Sequence, residues 1–346
     1  MSIQHLALLI PGNYPDTEPA AGLEATLKLF ATAEALGYDS AWVRQRHLER
    51  GISSASTFLA AASQRTRRIG LGTAVIQMGY ENPFRLAEDL ATVDVLAGGR
   101  LQVGLSAGAP PYAALLGERL FDSDPAIIDF SHSRVTRLRD NLRSDVFGDD
   151  DSWIDSPAGR QRPRLHPVAP GLAERLWYGG GSLYSAEWTG RNGFNMLIGN
   201  LNRGEETDDF FTAQAQQLDR YHAHWTLPRA PRVALGRVIV PTDSADAATR
   251  AHYREFAASR HARTLAPQGE RRTLFTPDLV GSADEILSAL RRDPILTRVS
   301  ELRLELPYDF SYEEYAQIIE DTARLIAPEL GLRGLAQPTE LAAQVA

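Results

Sequence analysis

The chain of 346 residues contains no cysteine. This absence excludes disulfide bonds, thiolate nucleophiles, iron–sulfur clusters and cysteine-ligated zinc, and it fits a reducing compartment. Any chemistry must therefore come from other side chains or from a bound cofactor. We expect a cytoplasmic protein.

The sequence also lacks an excess of basic residues and any long apolar run. Acidic residues outnumber basic ones by 44 to 36, and the formal net charge is −8, which argues against a surface that neutralises nucleic acid or an anionic membrane. The first apolar run, HLALLI, stops at Pro11 and is too short for a secretory signal or a membrane span. We expect a soluble protein inside the cell that binds a small molecule.

Short apolar runs alternate with amphipathic stretches along nearly the whole chain, which is typical of parallel α/β architecture. Runs such as VALGRVIV fit strands that helices cover. The predicted strands are residues 3–10, 39–44, 68–76, 100–106, 175–178, 194–199, 232–240 and 299–306. Eight strand–helix units most simply close into a single (β/α)8 TIM barrel.

The connections between these strands carry the predicted helices and three longer excursions. The predicted helices are residues 23–36, 56–64, 83–96, 131–146, 184–191, 207–225, 245–259 and 312–326. Residues 107–130 and 259–279 are insertions after the fourth and seventh strands, and we expect them to cover a pocket at the barrel mouth. Residues 148–173 contain charged runs and are expected to be exposed on the opposite face. We predict one domain over residues 1–330 and a peripheral or disordered tail over 331–346.

A glycine-rich turn is the first candidate site. In WYGGGSLYSAEW a short strand runs into three glycines and then a helix. Glycines allow close approach of a ligand to the backbone, and a helix N-terminus directs free N–H groups at an anion. Gly181, Ser182 and Ser185 would donate to phosphate oxygens on this interpretation. A tight turn with a serine N-cap, needing no ligand, is the alternative.

A second segment, LGTAVIQMGYENPFRLAEDLATVDVLAGGRLQVGLSAG, resembles the luciferase-like monooxygenase family. The features shared are the third strand, the proline-opened helix, the aspartate near the helix end and the Gly-Gly-Arg start of the fourth strand. The similarity continues in the same order through GGSLYSAEWTGRNGFNML, VGSADEIL and ELRLELP.

The resemblance implies a flavin at the barrel mouth, either FMN or, in one branch of the family, the deazaflavin F420. Ala74 and Val75 would contact the ring, at a place where the family often has a non-prolyl cis peptide. Ser106, Ala107 and Gly108 would lie near the pyrimidine and ribityl side; some relatives have an arginine where this chain has Ala107. The phosphate-binding residues implied are Gly181, Ser182, Tyr184 and Ser185.

The triplet Gln45-Arg46-His47 follows the second strand, where many relatives have Glu-His-His. His47 is a candidate acid or base because imidazole titrates near neutral pH, and a packed structural histidine is the alternative. Arg46 would stabilise an anionic flavin or substrate by its fixed charge and cannot act as a general base.

Three lone polar residues, Asn13, Tyr14 and Asn82, follow predicted strands and are candidates for substrate contacts, with turn formation as the alternative. The histidines have no convincing metal-ligand spacing, so we predict no metal.

By resemblance, the protein would oxygenate a small organic substrate with O2 and reduced FMN from a separate NAD(P)H:flavin reductase, and would form a homodimer. The alternatives are F420-dependent hydride transfer and a noncatalytic flavin-binding protein.

Overall fold

Eight parallel strands close into a barrel in the computed structural model, which describes residues 3–332. The strands are β1 His5–Ile10, β2 Ser40–Val43, β3 Gly70–Gln77, β4 Leu101–Ser106, β5 Leu176–Gly179, β6 Asn195–Ile198, β7 Val233–Pro241 and β8 Glu301–Glu305. Neighbours pair in chain order, and β8 closes the ring against β1, with Glu301 beside His5 and Glu305 beside Leu9. The predicted (β/α)8 barrel and its eight predicted strands are confirmed.

Helices surround the barrel, and all eight predicted ones are present. The helices are α1 Pro19–Ala35, α2 Ala55–Arg65, α3 Pro83–Leu96, α4 Ser133–Leu142, α5 Leu183–Arg191, α6 Phe210–Ala223, α7 Ala247–His261, α8 Ala283–Arg292 and α9 Tyr312–Asp321. A π-helical turn, Thr322–Ile326, continues α9. The single-turn helix Ala113–Leu116 lies in the loop after β4.

The prediction was wrong in omitting α8, which follows α7 before the last strand. Between β7 and β8 the chain forms both helices. Along α7 the only described side chain that is buried is Tyr253, whereas α8 buries Ala283, Ile286, Leu287 and Leu290. The helix that packs as the seventh of the barrel is therefore α8, and α7 is an additional helix.

The long excursions contain more regular structure than expected. In the stretch 148–173, Ile154–Ser156 and Gly159–Gln161 form an antiparallel hairpin that is largely exposed, as predicted. The prediction was wrong for the part that follows, because Leu165, Ala169 and Leu172 are buried in the core. Leu201–Arg203 pairs antiparallel with Thr273–Phe275, and Leu279–Gly281 extends the sheet beside the end of β7. Short 3₁₀ turns lie at Met78–Tyr80, Gly117–Arg119, Pro125–Ile127, Ala173–Arg175, Ala262–Thr264, Leu296–Arg298 and Pro328–Leu330.

The core has two layers because successive strand residues face opposite sides of the sheet. Outward residues of β1 such as Leu6 and Leu8 pack under the helices. The inward residues form a separate lumen cluster of Ala7, Leu9, Trp42, Ala74, Trp177, Leu197 and Ala234. Trp42 and Trp177 pack edge to face with ring centroids 5.6 Å apart. Their bulk fills the lower lumen and leaves space only near the carboxyl ends of the strands.

The predicted tail begins at Gly331, and residues 333–346 of it lie outside the described residues. Leu332 still packs against the core. Over residues 3–332, no helix combines the length and apolar character that a bilayer crossing requires.

Candidate functional site

A cavity of about 230 Å³ opens at the carboxyl ends of the barrel strands. We call it the mouth cavity. Ala74 and Val75 of β3 line it on one side, and Gly179, Gly180 and Gly181 line it on another. The structure thus brings Ala74, Val75 and Gly181 of the predicted cofactor site to one cavity, at the face where (β/α)8 barrels carry their active sites. The other predicted cofactor residues are not among those that line this cavity: Ser106, Ala107, Gly108, Ser182, Tyr184 and Ser185.

The glycine turn leads directly into α5. Ser182 is the N-cap residue: its Oγ accepts a hydrogen bond from the Ser185 backbone N–H at 3.0 Å and donates to Ser185 Oγ at 2.8 Å. A Cβ at Gly180 would lie 2.7 Å from Ser185 Cβ, so the turn can close on the helix only with glycine there. Tyr184, in the first turn of α5, is exposed. Both interpretations of the turn fit this geometry, since it is a serine-capped turn whose free N–H groups face a cavity.

Two charged residues lie close to the turn. The backbone N–H of Arg203 donates to the Gly181 carbonyl at 3.0 Å, which places this arginine beside the turn. Glu205 accepts a hydrogen bond from the Leu183 backbone N–H at 2.7 Å. The helix N-terminus therefore already has one carboxylate against its first N–H groups, where the helix dipole favours negative charge.

The Ala74–Val75 peptide bond is cis, as the family resemblance implied. At the same point the pairing of β3 with β4 shifts register between Thr73 and Ile76. Thr73 Oγ1 donates to the Gly104 carbonyl and accepts from the Gly104 N–H, both at 3.0 Å. These bonds fix β3 against β4 just before the segment that lines the mouth cavity.

Ser106, Ala107 and Gly108 lie at the end of β4, beside a pair of residues that sequence reasoning missed. The Ala107 N–H donates to the Tyr178 hydroxyl at 3.2 Å, and this hydroxyl is 2.9 Å from His132 Nε2. The Tyr178 hydroxyl thus bridges the backbone at the end of β4 and the His132 imidazole. Burial lowers the pKa of His132 and raises that of Tyr178. Tyr178 directly precedes the glycine turn, and this position is the signal in the sequence that points to it.

His47 lies in a polar cluster after β2. Gln45, which is buried, accepts the Ala55 N–H with its carbonyl oxygen and donates from Nε2 to Glu81 and to His47 Nε2, each at 2.9 Å. His47 stacks on Tyr80 with ring centroids 3.8 Å apart. Burial lowers the pKa of His47, and the Gln45 N–H requires a bare Nε2 on the imidazole. The ring is therefore neutral with its proton on Nδ1.

Burial raises the pKa of Glu81, the other partner of Gln45, in spite of the hydrogen bond that it accepts. Arg46, the third member of the predicted triplet, points elsewhere: its Nη2 donates to the Tyr308 hydroxyl at 2.7 Å. His47 and Arg46 therefore lie in different places: the neutral imidazole lies near the end of β3 and the arginine near the end of β8.

The three predicted substrate residues lie away from the mouth cavity. Asn13 and Tyr14 line a larger cavity of about 780 Å³ between the loops after β1, β2 and β8. Asn13 Nδ2 donates to Asp309 at 2.8 Å, and the Tyr14 hydroxyl donates to the Gly51 carbonyl at 3.0 Å. Asn82 caps α3 by accepting the backbone N–H groups of Phe84 and Arg85. The turn-forming alternative describes Asn82 well, and its substrate contact stays a prediction.

A buried charged cluster at the floor of the mouth cavity was also missed. We call Arg44, Arg303 and Glu305 the lumen triad. Arg44 Nη2 donates to Glu305 at 3.0 Å and Arg303 Nη2 donates to it at 3.2 Å. Burial alone would raise the pKa of Glu305, but the two guanidinium groups outweigh it and hold this pKa below its ordinary value. The alternation of charged and leucine residues in ELRLE is the signal that points these side chains into the lumen.

Among residues 3–332, no group of three or more histidine, aspartate or glutamate side chains is arranged to hold a metal ion.

The fold and the cavity define the chain as a (β/α)8 barrel with a cavity at the carboxyl ends of its strands, the face that carries the active site in barrels of this kind. Comparison with known sequences narrows the class. The family described as luciferase-like monooxygenase matches residues 4–293. The chain belongs to this family.

Individual relatives match shorter parts. The chain is 37% identical over 107 residues to the 4-hydroxyprotoasukamycin monooxygenase of Streptomyces nodosus subsp. asukaensis, covering 30% of this chain and 29% of that protein. It is 28% identical over 239 residues to the limonene 1,2-monooxygenase of Rhodococcus erythropolis, covering 66% and 60%. It is 23% identical over 193 residues to the oxygenase component of the flavin-dependent trigonelline monooxygenase of Acinetobacter baylyi, covering 52% and 49%. The matches therefore span between 29% and 60% of these curated relatives.

Solved structures share the fold over nearly the full length. Monooxygenase RslO1 from Streptomyces bottropensis superposes with a TM-score of 0.69 at 22% identity, covering 94% of this chain and 99% of that one. The FMN-bound oxygenating constituent of 3,6-diketocamphane monooxygenase from Pseudomonas putida gives 0.68 at 16% identity, covering 96% and 100%. An F420-dependent secondary alcohol dehydrogenase gives 0.62 at 15% identity, covering 94% and 99%.

Proposed function

We propose that the protein is a flavin-dependent monooxygenase that uses reduced FMN and O2 on a small organic substrate. Family membership supports the reaction class, and the FMN-bound diketocamphane neighbour supports the cofactor. A separate NAD(P)H:flavin reductase would supply the reduced flavin, as the separate oxygenase component of the trigonelline enzyme suggests.

The residues at the mouth fit an FMN molecule. The backbone N–H groups of Gly181 and Ser182 and the hydroxyl of Ser185 would hold the phosphate, with the nearby Arg203 as a cation. A helix N-terminus preceded by glycines is a ready anion site, and no side chain projects from the glycines into the cavity. Ala74 and Val75 would lie against the ring, and the end of β4 at Ser106, Ala107 and Gly108 would lie beside it.

Bound reduced FMN supplies the electrons that activate O2, and the protein supplies orientation and a dry pocket. His47 is neutral, with its proton on Nδ1 and its Nε2 on the Gln45 N–H, so we propose that it donates a hydrogen bond through Nδ1 near the flavin. A role of His47 as acid or base requires the imidazole to release the Gln45 N–H and stays a prediction. Arg46 contributes a fixed positive charge and moves no proton. The loop 107–130 would cover the pocket, and the hydrogen bond from Gly108 N–H to the Phe130 carbonyl at 2.9 Å joins its two ends.

F420-dependent hydride transfer is the second candidate function, because an F420-dependent dehydrogenase shares the barrel. The mouth cavity and the glycine turn serve either cofactor. We also propose a cytoplasmic homodimer, on the absence of cysteine and on the family's dimers; light scattering of the purified protein tests the oligomeric state.

The observation that carries the proposal is the meeting of Ala74–Val75 and the glycine turn at one cavity. The test is titration of the purified protein with FMN and with F420, followed by absorbance. We expect FMN to bind, and Ser185→Ala to weaken FMN while leaving riboflavin, which lacks the phosphate, unchanged. Binding of F420 with no binding of FMN would overturn the choice of cofactor. FMN binding without O2-dependent turnover, when a flavin reductase and NADH are supplied across a substrate panel, would favour the noncatalytic alternative.

A further inference from the structure

The lumen triad places charge where barrel interiors usually hold apolar side chains. Along β8, Leu302 and Leu304 face the helices, so Arg303 and Glu305 face the lumen. Both are buried, with 4% and 3% of their surface exposed, and both line the mouth cavity together with Arg44. The glycine at position 236 of β7 leaves room for this cluster, because a Cβ there would lie 1.9 Å from Glu305 Oε1.

The triad is unbalanced in charge. One carboxylate is shared by two guanidinium groups, which leaves a net charge of about +1 at the cavity floor because arginine stays protonated in proteins. A buried charge without a counterion is costly, and a bound anion removes that cost.

The triad also has unused hydrogen-bond donors. Arg44 Nε and both Nε and Nη1 of Arg303 have no acceptor among the described residues, although all three atoms are buried. Arg237, which faces away from the lumen, provides the contrast. Its guanidinium donates to Asp293, to Gln214 and to the carbonyls of Gly199 and Gly236. The fold thus supplies hydrogen-bond acceptors to the Arg237 guanidinium, whereas Nε and Nη1 of Arg303 have none among the described residues.

We propose that Arg303 and Arg44 bind a carboxylate of the organic substrate. This inference rests on the proposed function and names the substrate class: a monocarboxylic acid with a compact apolar body. The walls suit such a body, since Leu9, Ala74, Leu197 and Ile198 line the same cavity. A monoanion neutralises the net charge of the triad, and its two oxygens accept from the unused donors, as guanidinium groups favour.

The test uses the FMN-loaded protein and a matched pair of probes, cyclohexanecarboxylate and cyclohexanecarboxamide, in calorimetric titrations. We expect the acid to bind about tenfold or more tightly than the neutral amide, since hydrogen bonds to charged groups are stronger. Arg303→Met should remove this preference. Glu305→Gln should have the opposite effect and strengthen acid binding, because it removes the competing carboxylate. Arg291→Met, at an exposed arginine of α8 that lines neither this cavity nor the one beside Asn13 and Tyr14, should leave acid binding unchanged.

Arg303→Met and Glu305→Gln are expected to change the affinity for the acid in opposite directions. This distinguishes a binding role of the triad from a structural one, because damage to the fold would weaken acid binding in both variants. Equal affinity for acid and amide would overturn the proposal. Competition between the acid and FMN, or loss of FMN binding in Arg303→Met with its fold intact by circular dichroism, would also overturn it and place the cofactor on the triad. The same titrations are repeated on the protein without FMN. If FMN does not bind but the acid binds this protein with the expected variant effects, the proposed function fails and the carboxylate site stands.

Discussion

At the scale of single residues, the hydrogen bonds of Gln45 decide what His47 can do. The amide has its oxygen on the Ala55 N–H and therefore presents N–H groups to Glu81 and to His47. An imidazolium at His47 would face this donor with another donor. The buried glutamine thus keeps the ring neutral, in addition to the effect of burial itself.

This arrangement predicts a pH dependence of stability. The folded pKa of His47 lies below its unfolded value of about 6.5, so the unfolded chain binds more protons as the pH falls. The stability from neutral His47 is complete above the unfolded pKa and is lost as the pH falls through the folded pKa. We expect the free energy of unfolding, measured with urea, to decrease below about pH 7, and His47→Gln to flatten this decrease.

The control for that measurement is His261→Gln, because His261 is exposed at the end of α7. The free energy of unfolding of this variant should depend on pH in the same way as that of the parent protein. A His47→Gln protein with an unchanged slope would show that His47 is not held neutral by the fold. Some slope will remain in either case, because burial also lowers the pKa of His132.

Glu205 supports a second prediction at this scale. Its carboxylate accepts the Leu183 N–H at the helix N-terminus, where the FMN phosphate is proposed to bind. Glu205→Gln removes a like charge from the phosphate site, and we expect FMN to bind about two- to fivefold more tightly, from the usual strength of charge effects at helix ends. Fluorescence quenching of FMN measures this change.

Two comparisons test whether Glu205→Gln acts through the FMN phosphate. Riboflavin should bind equally to the parent and to Glu205→Gln. Glu206→Gln, next in the chain and 4.0 Å from Arg220, should change FMN affinity less. An equal gain for riboflavin would mean that the substitution acts on the ring or on the fold.

The parts of the candidate site that could be predicted are those contained in one short segment. Gly181, Ser182 and Ser185 lie in a single turn, so one short segment suffices to predict a candidate anion site, with a serine-capped turn as the alternative. The lumen triad could not be found in this way, because Arg44 and Glu305 are 261 positions apart and meet only when β8 closes against β1. The same holds for His132 and Tyr178, which come together across the ends of different elements.

At the scale of elements, α8 shows why one helix was missed. The prediction expected one helix between successive strands, and α7 satisfied that expectation after β7. The start signal of α8 was nevertheless present in the sequence as SADE. Ser282 accepts the Glu285 N–H, and Glu285 accepts the Ser282 N–H, which is a capping box. The strands were predicted well because their apolar runs are short and are separated by helices.

The capping box predicts the effect of a small change on α8. Ser282→Ala should reduce the free energy of unfolding by about 1 kcal/mol, because an N-terminal N–H group loses its acceptor. Ser288→Ala, inside the same helix, should change stability by less than about 0.5 kcal/mol, since alanine is the better helix former. Urea unfolding of the two variants checks this, and an equal loss in both would mean that the cap contributes nothing specific.

At the scale of the whole molecule, the two tryptophans in the lumen set how closely the strands can pack around it. Trp42 occupies the space where a side chain from β3 would otherwise lie. Gly72 is therefore a glycine for reasons of volume, since a Cβ there would lie 2.1 Å from Trp42 Cδ2. The two tryptophan side chains fill the lumen below the mouth cavity, which is where we propose that the flavin binds.

Gly72→Ala tests this packing of the entire barrel. The added methyl group would meet a rigid indole, and the neighbouring strands cannot move apart without breaking the closed ring. Overpacking of this kind costs about 3 kcal/mol, so we expect a large loss in the urea midpoint or failure to fold. Gly51→Ala is the matched control, because its Cβ would have no neighbour closer than 3.6 Å. If Gly72→Ala does not fold, the double variant with Trp42→Leu should recover stability, because it removes the indole atoms that the methyl group meets. A Gly72→Ala protein as stable as Gly51→Ala would show that the lumen has room the structure does not contain.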